Sequence, residues 1–423
     1  MQSLFDFLKE GTCAATVVRA MEKRLSQAGF RKLEYTRQWQ LERGGSYYVT
    51  IRDTSCLAFR IAAHSAEKTT PYFRIVSAHT DQPCLKLKPL PEISGDGHSK
   101  LNISVYGGPI YSTWMDRPLS LAGRAVLAGR NVFDKITVAV DLKKPLLVVP
   151  NLAIHMNREV NKGVELNPQK DLQPFAGLNL DGAFVKEALG AELGVKPDQI
   201  VDYELYAYNC DEPVCTGFDG SLISSPRLDD LIMVHAALAA MVGSQPESGV
   251  TVLAALDSEE IGSRTPQGGA SASVAMVLEK IASSLGESRT AFLDLLADSF
   301  MLSGDVAHAL HPNREEMHDP VLRPVLGSGP VIKLDAGQRY MTSAGDYPVY
   351  SELCRMEGVP VQVFVSRADK VSGSTLGPVM SAFLPCRIVD IGTPILSMHS
   401  ARELASAADY EYTRRSFDAF YRL

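Results

Sequence analysis

Helical and strand-like patterns of apolar residues alternate at both ends of the chain. Over the first 30 residues, Leu4, Leu8, Val17, Met21 and Leu25 recur at helical spacing and predict the apolar face of a helix. Runs typical of strands follow at 47–52, 56–62 and 72–78. After residue 225 the pattern predicts helices at 228–241, 289–302, 374–383 and 401–421, and strands at 250–256, 330–334, 361–365 and 386–391. Such alternation is typical of an α/β domain.

The middle of the chain has a different pattern. Residues 88–224 hold short β-like runs at 104–106, 119–127, 136–140 and 146–149, separated by turn-rich pieces. Many short strands at close spacing predict a compact all-β barrel or sandwich. A chain of 423 residues exceeds one comfortable hydrophobic core. We therefore predict an α/β domain built from 1–87 and 225–423, interrupted by an inserted β domain at 88–224.

Composition and charge exclude several classes of function. The net charge of −7, without a basic stripe that carries interleaved aromatic residues, predicts no nucleic-acid partner. No segment approaches the ~18 apolar residues that span a membrane, and the start of the chain lacks the pattern of a signal peptide. The seven cysteines are scattered, and no Cys-x-x-Cys occurs, which argues against disulfides and against a thiolate zinc site. We predict a cytoplasmic protein.

The run 251–256 leads directly into Asp257-Ser258-Glu259-Glu260. A continuous apolar run before a turn predicts a central parallel strand that is buried on both faces. Ligands of open α/β sheets lie beyond the carboxyl ends of such strands. Two adjacent glutamates there repel each other and resist burial, so a positive partner such as a metal ion is one interpretation. The alternative is a solvated acidic loop.

Other acids and histidines also stand at predicted strand ends or loop starts. They are His79 and Asp81, Asp229 and Asp230, Asp305, and His399. A set of histidines and carboxylates without cysteine suits Zn²⁺, Mn²⁺ or Co²⁺. The set is too large for one tetrahedral ion and suits a pair of ions about 3.5–4 Å apart, with a bridging carboxylate and a bridging water. The Asp81 side chain is expected to accept the second ring N–H of His79. Each motif alone also has a purely structural interpretation.

Seven sequence blocks carry a family resemblance. They are Ser77-Ala78-His79-Thr80-Asp81, Ser225-Pro226-Arg227-Leu228-Asp229, Asp257-Ser258-Glu259-Glu260-Ile261-Gly262-Ser263, Asp305-Val306-Ala307-His308-Ala309-Leu310-His311-Pro312-Asn313, Gln338-Arg339-Tyr340, Gly373-Ser374-Thr375-Leu376-Gly377-Pro378 and Met398-His399-Ser400-Ala401-Arg402-Glu403. With these blocks the chain resembles the M18 metallopeptidases, the aspartyl aminopeptidase family, over nearly its whole length and in motif order. The resemblance implies a zinc-peptidase-like α/β/α sandwich with an inserted β-barrel-like dimerisation domain.

The resemblance also implies a metal centre. Two divalent ions, Zn²⁺ with Mn²⁺ or Co²⁺ as alternatives, would be held by two ligand sets that share Asp229. These sets are His79, Asp229 and Asp305, and Asp229, Glu260 and His399. Glu259 would be the general base that activates a bridging hydroxide, and Asp81 would orient His79.

Further implied roles concern the substrate and the assembly. His155 would reach the active site of a neighbouring subunit and stabilise the oxyanion. Lys333 would meet the acidic side chain of the substrate, although a lysine that ends an apolar strand is often only snorkelling. Tyr340, Gly373 and Ser374 would contact substrate. The 373–375 segment is equally consistent with a plain helix N-cap. Family members assemble as tetrahedral dodecamers.

A few positions depart from the family pattern or stay outside the implied site. Ser258 and Asp230 stand where Asn is usual, Asn161-Lys162-Gly163 leaves the pattern after the His155 loop, and Arg314 replaces an aromatic residue. None of these is an implied ligand. His308 and His311 are interpreted as structural or supporting residues, and His235 as a core histidine.

The resulting functional prediction is a di-metal aminopeptidase that removes an N-terminal residue, preferably Asp or Glu, from peptides. One alternative is an aminopeptidase of broader specificity, and another is an amide deacylase, which would accept substrates with a blocked amine. A third alternative, from another class, is a catalytically silent protein that retains only the self-assembling shell.

Overall fold

The computed structural model describes residues 1–64 and 70–423, and its regular elements within these residues are ten α-helices and 20 strands. The helices are α1 Gln2–Glu10, α2 Ala14–Gln27, α3 Pro168–Asp171, α4 Phe184–Leu193, α5 Leu228–Gly243, α6 Ser273–Ser284, α7 Arg289–Ala297, α8 Tyr347–Met356, α9 Leu376–Met380 and α10 Ala407–Arg422. The strands are β1 Arg31–Leu33, β2 Ser46–Ile51, β3 Ser55–Ile61, β4 Phe73–His79, β5 Cys84–Gly95, β6 His98–Tyr106, β7 Leu119–Leu127, β8 Ile136–Asp141, β9 Phe175–Gly177, β10 Ile200–Asn209, β11 Val214–Thr216, β12 Leu222–Ser225, β13 Val250–Leu256, β14 Phe300–Gly304, β15 Ala307–His308, β16 Val331–Leu334, β17 Gln362–Val365, β18 Arg387–Gly392, β19 Pro394–Leu396 and β20 Glu403–Ser406.

A nine-stranded mixed sheet, in the order β1-β2-β3-β13-β4-β14-β18-β16-β17, forms the central layer. Its middle strands β13, β4, β14 and β18 are mutually parallel, whereas β3 pairs antiparallel with β13 on the other side. Successive residues of β13 face opposite sides of the sheet, as strand geometry requires. Leu253 belongs to a hydrophobic core that also contains residues of α1, α2, α5, α8 and α10, and Val252 belongs to a second core with residues of α6, α7 and α9. The predicted α/β/α sandwich is therefore confirmed.

A second sheet of six strands lies within residues 84–209, in the order β8-β7-β10-β5-β6-β9. Its apolar side is covered in part by α4, whose Val185 and Leu189 are buried in a separate core. Two single bridges, Leu119 to Leu147 and Val148 to Phe175, connect β7 and β9 through the segment between them. The barrel-like character of this region stays a prediction.

A third sheet, in the order β11-β12-β20-β19-β15, joins distant parts of the chain. β12, near residue 224, pairs antiparallel with β20, near the carboxyl terminus. The domain boundaries at 87/88 and 224/225 stay predictions, but this pairing ties the start of α5 to the loop that carries His399. No helix in the described part of the chain is both long and apolar enough to cross a membrane.

Several predicted elements differ from the structure. The first 30 residues form two helices, α1 and α2, separated at Gly11–Cys13, although the predicted apolar face is buried. The helix predicted at 289–302 ends at Ala297 and is followed by β14. The prediction extends the helix too far because periodicity does not distinguish helix from strand in a short buried apolar run. The helix predicted at 374–383 is shorter in the structure, where α9 covers only Leu376–Met380. The helix predicted at 401–421 begins only at Ala407, after β20. Helix α6 was not predicted.

Candidate functional site

Three neighbouring parallel strands bring predicted ligands to one edge of the nine-stranded sheet. His79 is the last residue of β4, the turn Glu259–Ile261 follows β13, and Asp305 follows β14. These strands lie side by side in the order β13-β4-β14, so their carboxyl ends meet. The third sheet adds two more residues, since Asp229 follows β12 at the start of α5 and His399 lies between β19 and β20.

Asp229 lies at the centre of the cluster and is nearly inaccessible to solvent. Its Oδ1 is 3.1 Å from Nε2 of His79, and its Oδ2 is 3.4 Å from Nε2 of His399. The same nitrogen of His79 is 3.8 Å from Oδ1 of Asp305, and that of His399 is 3.6 Å from Oε2 of Glu260. Each oxygen of Asp229 therefore faces a different histidine and a different second carboxylate.

The ligand-type atoms fall into groups in which all atoms lie within 4.8 Å of one another. The groups are His79, Asp229, Asp230 and Asp305; Asp229, Glu260 and His399; and His79, Glu259 and Glu260. The first two contain the two ligand sets implied by the resemblance, with Asp229 common to both. The structure adds Asp230 to the first set.

Both histidines are held by a backbone carbonyl behind the ring. Nδ1 of His79 is 3.0 Å from the carbonyl oxygen of Asp81, and Nδ1 of His399 is 3.0 Å from that of Gly108. A carbonyl oxygen only accepts hydrogen bonds, so each Nδ1 donates. Both rings consequently direct Nε2 at the carboxylates, which is the orientation that a metal ligand needs.

The expected role of the Asp81 side chain is wrong. Its Oδ1 lies 3.6 Å from Nδ1 of His79, too far for a hydrogen bond, because the backbone carbonyl of Asp81 takes that position. The carboxylate instead accepts hydrogen bonds from the backbone N–H groups of Glu259 at 3.1 Å and Glu260 at 3.2 Å, and from the hydroxyl of Tyr106 at 2.8 Å. Asp81 therefore fixes the turn that carries the two glutamates.

Glu259 stands at the start of that turn. Ser258, before it, has a φ of 68°, so the chain turns sharply at the end of β13. Burial and the carboxylates of Asp305 and Asp81 raise the pKa of Glu259 to about 8, although His79 opposes the shift. A nearby dication would favour the ionised form and reverse this direction.

A cavity of about 530 Å³ opens onto the cluster, and we refer to it as the site cavity. The predicted substrate residues Lys333, Tyr340, Gly373 and Ser374 all line it. Lys333 is only 2% exposed, and its Nζ lies 3.2 Å from Oδ2 of Asp305 and 5.2 Å from the centre of the Tyr340 ring. The Lys333 amine is therefore a buried cation within the site cavity and does not snorkel into solvent.

The 373–375 segment only partly matches the predicted helix start. Thr375 is the N-cap of the short helix α9, and its hydroxyl donates to Oδ1 of Asp390 at 2.6 Å. Gly373 and Ser374 precede the cap and are exposed. Both remain available to a molecule in the site cavity.

His155 is the one predicted site residue that the structure does not bring to the cluster. It is exposed on a turn closed by the backbone N–H of Met156, which donates to the carbonyl of Ala153 at 2.8 Å. It is not among the described residues that line the site cavity. Its implied role in a neighbouring subunit stays a prediction.

Two further histidine predictions can be compared with the structure. His235 is buried, as expected of a core histidine, and its Nδ1 lies 2.8 Å from the hydroxyl of Tyr410. Burial and the nearby Arg24 lower the pKa of His235 to about 3. His308 lines the site cavity and packs against Phe364, with ring centres 5.6 Å apart.

A family model described as "Aminopeptidase I zinc metalloprotease (M18)" matches residues 7–421. The chain belongs to the M18 family. A protein of Clostridium acetobutylicum named "Probable M18 family aminopeptidase 2" is 42% identical over 100% of this chain and 98% of its own length. A Pseudomonas aeruginosa protein of the same name is 38% identical over 99% and 97%, respectively.

Solved structures have the same fold. A cryo-EM structure of the Ape4 and Nbr1 complex contains a chain with a TM-score of 0.94 and 33% identity, covering 99% of this chain and 85% of that one. The chain is thus an M18 metallo-aminopeptidase in fold and family.

The M18 family description implies zinc, and the residues of the cluster fit a divalent cation. The buried oxygens Asp230 Oδ1 and Glu260 Oε1 have no hydrogen-bond partner among the described residues, and Asp229 Oδ1 faces only Nε2 of His79, at 3.1 Å. Unpaired buried carboxylate oxygens are costly, and cations are their usual partners. The donors are imidazole nitrogens and carboxylate oxygens, which suit zinc.

The protonation of His79 and His399 also indicates that the cluster fits a divalent cation. Burial opposes the charged form of His399, yet the carboxylates of Asp229 and Glu260 outweigh it and raise its pKa to about 10. The pKa of His79 is likewise raised, since Asp230, Asp229 and Asp305 outweigh the effect of burial. Without a metal, protons on these rings balance the carboxylates. Metal binding would therefore release protons.

Glu403 is a site residue to which the sequence assigned no role. It is buried, and its Oε2 accepts the backbone N–H of Asp229 at 3.0 Å, while its Oε1 accepts that of His399 at 2.9 Å. Burial and the Asp229 carboxylate raise the pKa of Glu403 to about 8, against the two N–H groups that favour ionisation. One carboxylate therefore fixes two predicted ligands from distant parts of the chain.

Replacing Glu403 by Gln is expected to weaken zinc binding about tenfold to a hundredfold, the usual cost of losing a residue that supports metal ligands. The amide can accept one of the two N–H groups, but its own NH₂ faces the other. The measurement is the zinc dissociation constant by competition with a chelator. Glu352→Gln, on the exposed side of α8, is the matched control. Equal zinc affinity of E403Q and wild type would contradict this role.

Proposed function

We propose that this protein is a di-metal aminopeptidase that removes an N-terminal Asp or Glu from peptides. The convergence of two histidines and several carboxylates around Asp229, beside Glu259 and in one cavity with the buried cation Lys333, carries the proposal. Membership of the M18 family supports the aminopeptidase activity. The acidic preference and the roles of single residues belong to the proposal.

Two overlapping ligand sets would hold the ions. His79, Asp229 and Asp305 would bind one, and Asp229, Glu260 and His399 the other. When bound, such a pair lowers the pKa of a water molecule and polarises the carbonyl that is attacked. Asp81 and Glu403 keep the ligands in place through backbone N–H groups.

Glu259 would move the proton. As a carboxylate it accepts a proton from the attacking water, whose oxygen adds to the carbonyl carbon of the first residue. It then donates that proton to the leaving nitrogen as the C–N bond breaks, which releases the free amino acid and the shortened peptide. Glu259 lines the site cavity, and its backbone N–H is bound to Asp81, which suits this transfer.

Lys333 would select the first side chain. The buried Lys333 ammonium donates to Asp305 and to the carbonyl of Val306, which leaves it one further N–H, and a substrate carboxylate accepts a charge-assisted hydrogen bond from that N–H whereas an apolar side chain does not. Tyr340, whose ring lies against the amine, would fix its position. Gly373 and Ser374 would contact the substrate from the opposite loop.

Self-assembly and the role of His155 form a further part of the proposal. Ile154 and Met156, on both sides of His155, are 48% and 75% exposed. Neighbouring exposed apolar side chains are typical of a surface that contacts another chain. The "S. cerevisiae mApe1 dodecamer", at 23% identity and a TM-score of 0.84 over 99% of this chain and 95% of that one, shows the common fold alone. The tetrahedral dodecamer therefore rests on the family resemblance.

A cytoplasmic location is proposed on the state of the cysteines. All seven are free in the structure, and Cys13, Cys56, Cys84 and Cys354 are buried. Reduced cysteines are typical of a reducing compartment.

Glu259→Gln is expected to lower kcat by about 10²–10⁴-fold, the usual contribution of a general base, because the amide cannot accept the proton. Zinc content and the assembly should not change, since Gln keeps the size of the side chain. Steady-state kinetics with metal analysis checks both points. Glu192→Gln, exposed on α4, is the control. Near-normal turnover by E259Q would refute the proposed base.

Peptides that differ only in their first residue, Asp, Glu, Leu or Lys, test the proposed specificity. We expect Asp and Glu to be released fastest, and Lys333→Met to reduce the Asp-to-Leu ratio of kcat/KM about tenfold to a hundredfold, as for a lost charged hydrogen bond. The Asp-to-Leu ratio of kcat/KM is the readout because Lys333 also contacts Asp305. Loss of that contact affects the cleavage of all substrates alike and leaves the ratio unchanged. Lys333→Arg keeps the charge and serves as the control.

Different outcomes of this panel separate the alternatives. Release of Leu without Asp would retain the aminopeptidase and refute the acidic preference. Cleavage of N-acetylated peptides at the same rate would indicate a deacylase. Zinc-loaded protein that cleaves none of the peptides would indicate a catalytically silent shell.

His155→Phe is expected to lower kcat by about 10²–10³-fold, as for a lost oxyanion donor, without loss of zinc. Because the histidine would act in another subunit, co-expression of H155F with E259Q should restore part of the activity that each variant lacks alone. In such an assembly, a site with intact Glu259 receives His155 from its neighbour. Unchanged kinetics of H155F, or no recovery in mixed assemblies, would contradict a histidine shared between subunits.

A further inference from the structure

A second cavity of about 330 Å³ adjoins the site cavity. The two share His308, Phe364, Gly373 and Met398 as lining residues, so one opens directly beside the other. Neither the family model nor the names of the relatives assign it a role. A peptide in the site cavity has to continue somewhere beyond its first residue, and each extended residue spans about 3.3–3.6 Å. The second cavity is therefore within reach of the next few residues.

The two cavities have opposite chemical character. The site cavity is lined by four carboxylates, those of Asp229, Glu259, Glu260 and Asp305. The lining of the second cavity, as far as the structure describes it, contains no carboxylate. It contains three imidazoles, one guanidinium and one ammonium, from His308, His311, His318, Arg367 and Lys370.

Lys370 and His311 are the groups of the second cavity that are available to an anion. Lys370 is exposed and forms no ion pair among the described residues. Nδ1 of His311 accepts the backbone N–H of Asn313 at 3.2 Å, so the neutral ring carries its proton on Nε2 and can donate it. A carboxylate only accepts, and these two groups supply donors for it.

The other three cationic or imidazole groups that line the second cavity are already paired or neutral. The Arg367 guanidinium is paired with Asp369 through two contacts of 2.8 Å. Burial lowers the pKa of His308, and the nearby Lys333 lowers it further. Burial and the nearby Arg323 also lower the pKa of His318. These imidazoles are therefore neutral hydrogen-bonding groups, and Lys370 is the unpaired cation.

We propose that the second cavity binds a carboxylate side chain on the part of the peptide that follows the scissile bond. The protein would then favour peptides that carry Asp or Glu at the second or third position, in addition to its choice of the first residue. This inference rests on the proposed aminopeptidase function and extends its substrate class to acidic peptides.

Tripeptide amides test the inference. All carry whichever first residue the protein releases fastest, followed by Ala-Ala, Glu-Ala, Ala-Glu, Lys-Ala or Ala-Lys, and the amide removes the terminal carboxylate. For zinc-loaded wild type we expect kcat/KM to be about two- to fivefold higher with Glu than with Ala, the size of one partly exposed ion pair, and lowest with Lys. Lys370→Gln and His311→Gln should each reduce the Glu preference without changing kcat/KM for the Ala-Ala peptide. Arg314→Gln is the matched control. Arg314 is an exposed cation on the loop that carries His311, and it does not line the second cavity.

The outcomes distinguish this inference from the proposed function. If wild type cleaves the Ala-Ala peptide but does not discriminate among Glu, Ala and Lys, the second cavity is not an anion subsite, and the aminopeptidase stands. If the Glu preference persists in both K370Q and H311Q, the carboxylate binds elsewhere and the assignment of this cavity is wrong. If no peptide is cleaved by zinc-loaded protein, the proposed function fails, and this inference fails with it.

Discussion

Repulsion among buried carboxylates is the constraint on which the site depends. Asp229, Asp230, Glu259, Glu260 and Asp305 are brought to one sheet edge, where burial alone already disfavours the ionised forms of the first four. Within the described residues, Lys333 and the two histidines are the cationic groups that lie against them. Such an arrangement is stable only with added positive charge, from protons or from metal ions. The repulsion among these carboxylates alone therefore makes this edge of the sheet suited to metal binding.

Two other carboxylates determine how firmly that cluster is held. Asp81 accepts the N–H groups of Glu259 and Glu260, and Glu403 accepts those of Asp229 and His399. Each joins segments that are more than 170 residues apart in sequence. Because these N–H groups belong to the backbone, the two carboxylates fix the positions of whole turns and leave the side-chain ligand atoms free to face inward. The third sheet, which pairs β12 with β20, places Glu403 close to the start of α5.

The sequence predicted much of the site because the relevant signal is local. An apolar run followed by polar residues marks the end of a strand, and this was enough to find His79, Glu259 and Glu260. The sequence also predicts Asp305, although the pattern of its strand β14 predicts the end of a helix, since Phe300-Met301-Leu302 fits either structure. The partners of Asp81 and the role of Glu403 could not be predicted, because they depend on backbone N–H groups of residues that only the fold brings near. His155 is a different case, since its proposed partner lies on another chain.

The opposite charges of the two cavities would orient a substrate along its length. A free N-terminal amine is cationic and fits the cavity that four carboxylates line, whereas a carboxylate beyond the scissile bond fits the cavity that contains Lys370. Lys333 is the exception within the first cavity, and its contact with Asp305 keeps it on the ligand side of that cavity. A peptide bound the other way round would place its cationic amine beside Lys370 and leave Lys370 without an anion. Repulsion between the amine and Lys370 in the wrong orientation would therefore add to the attraction in the right one.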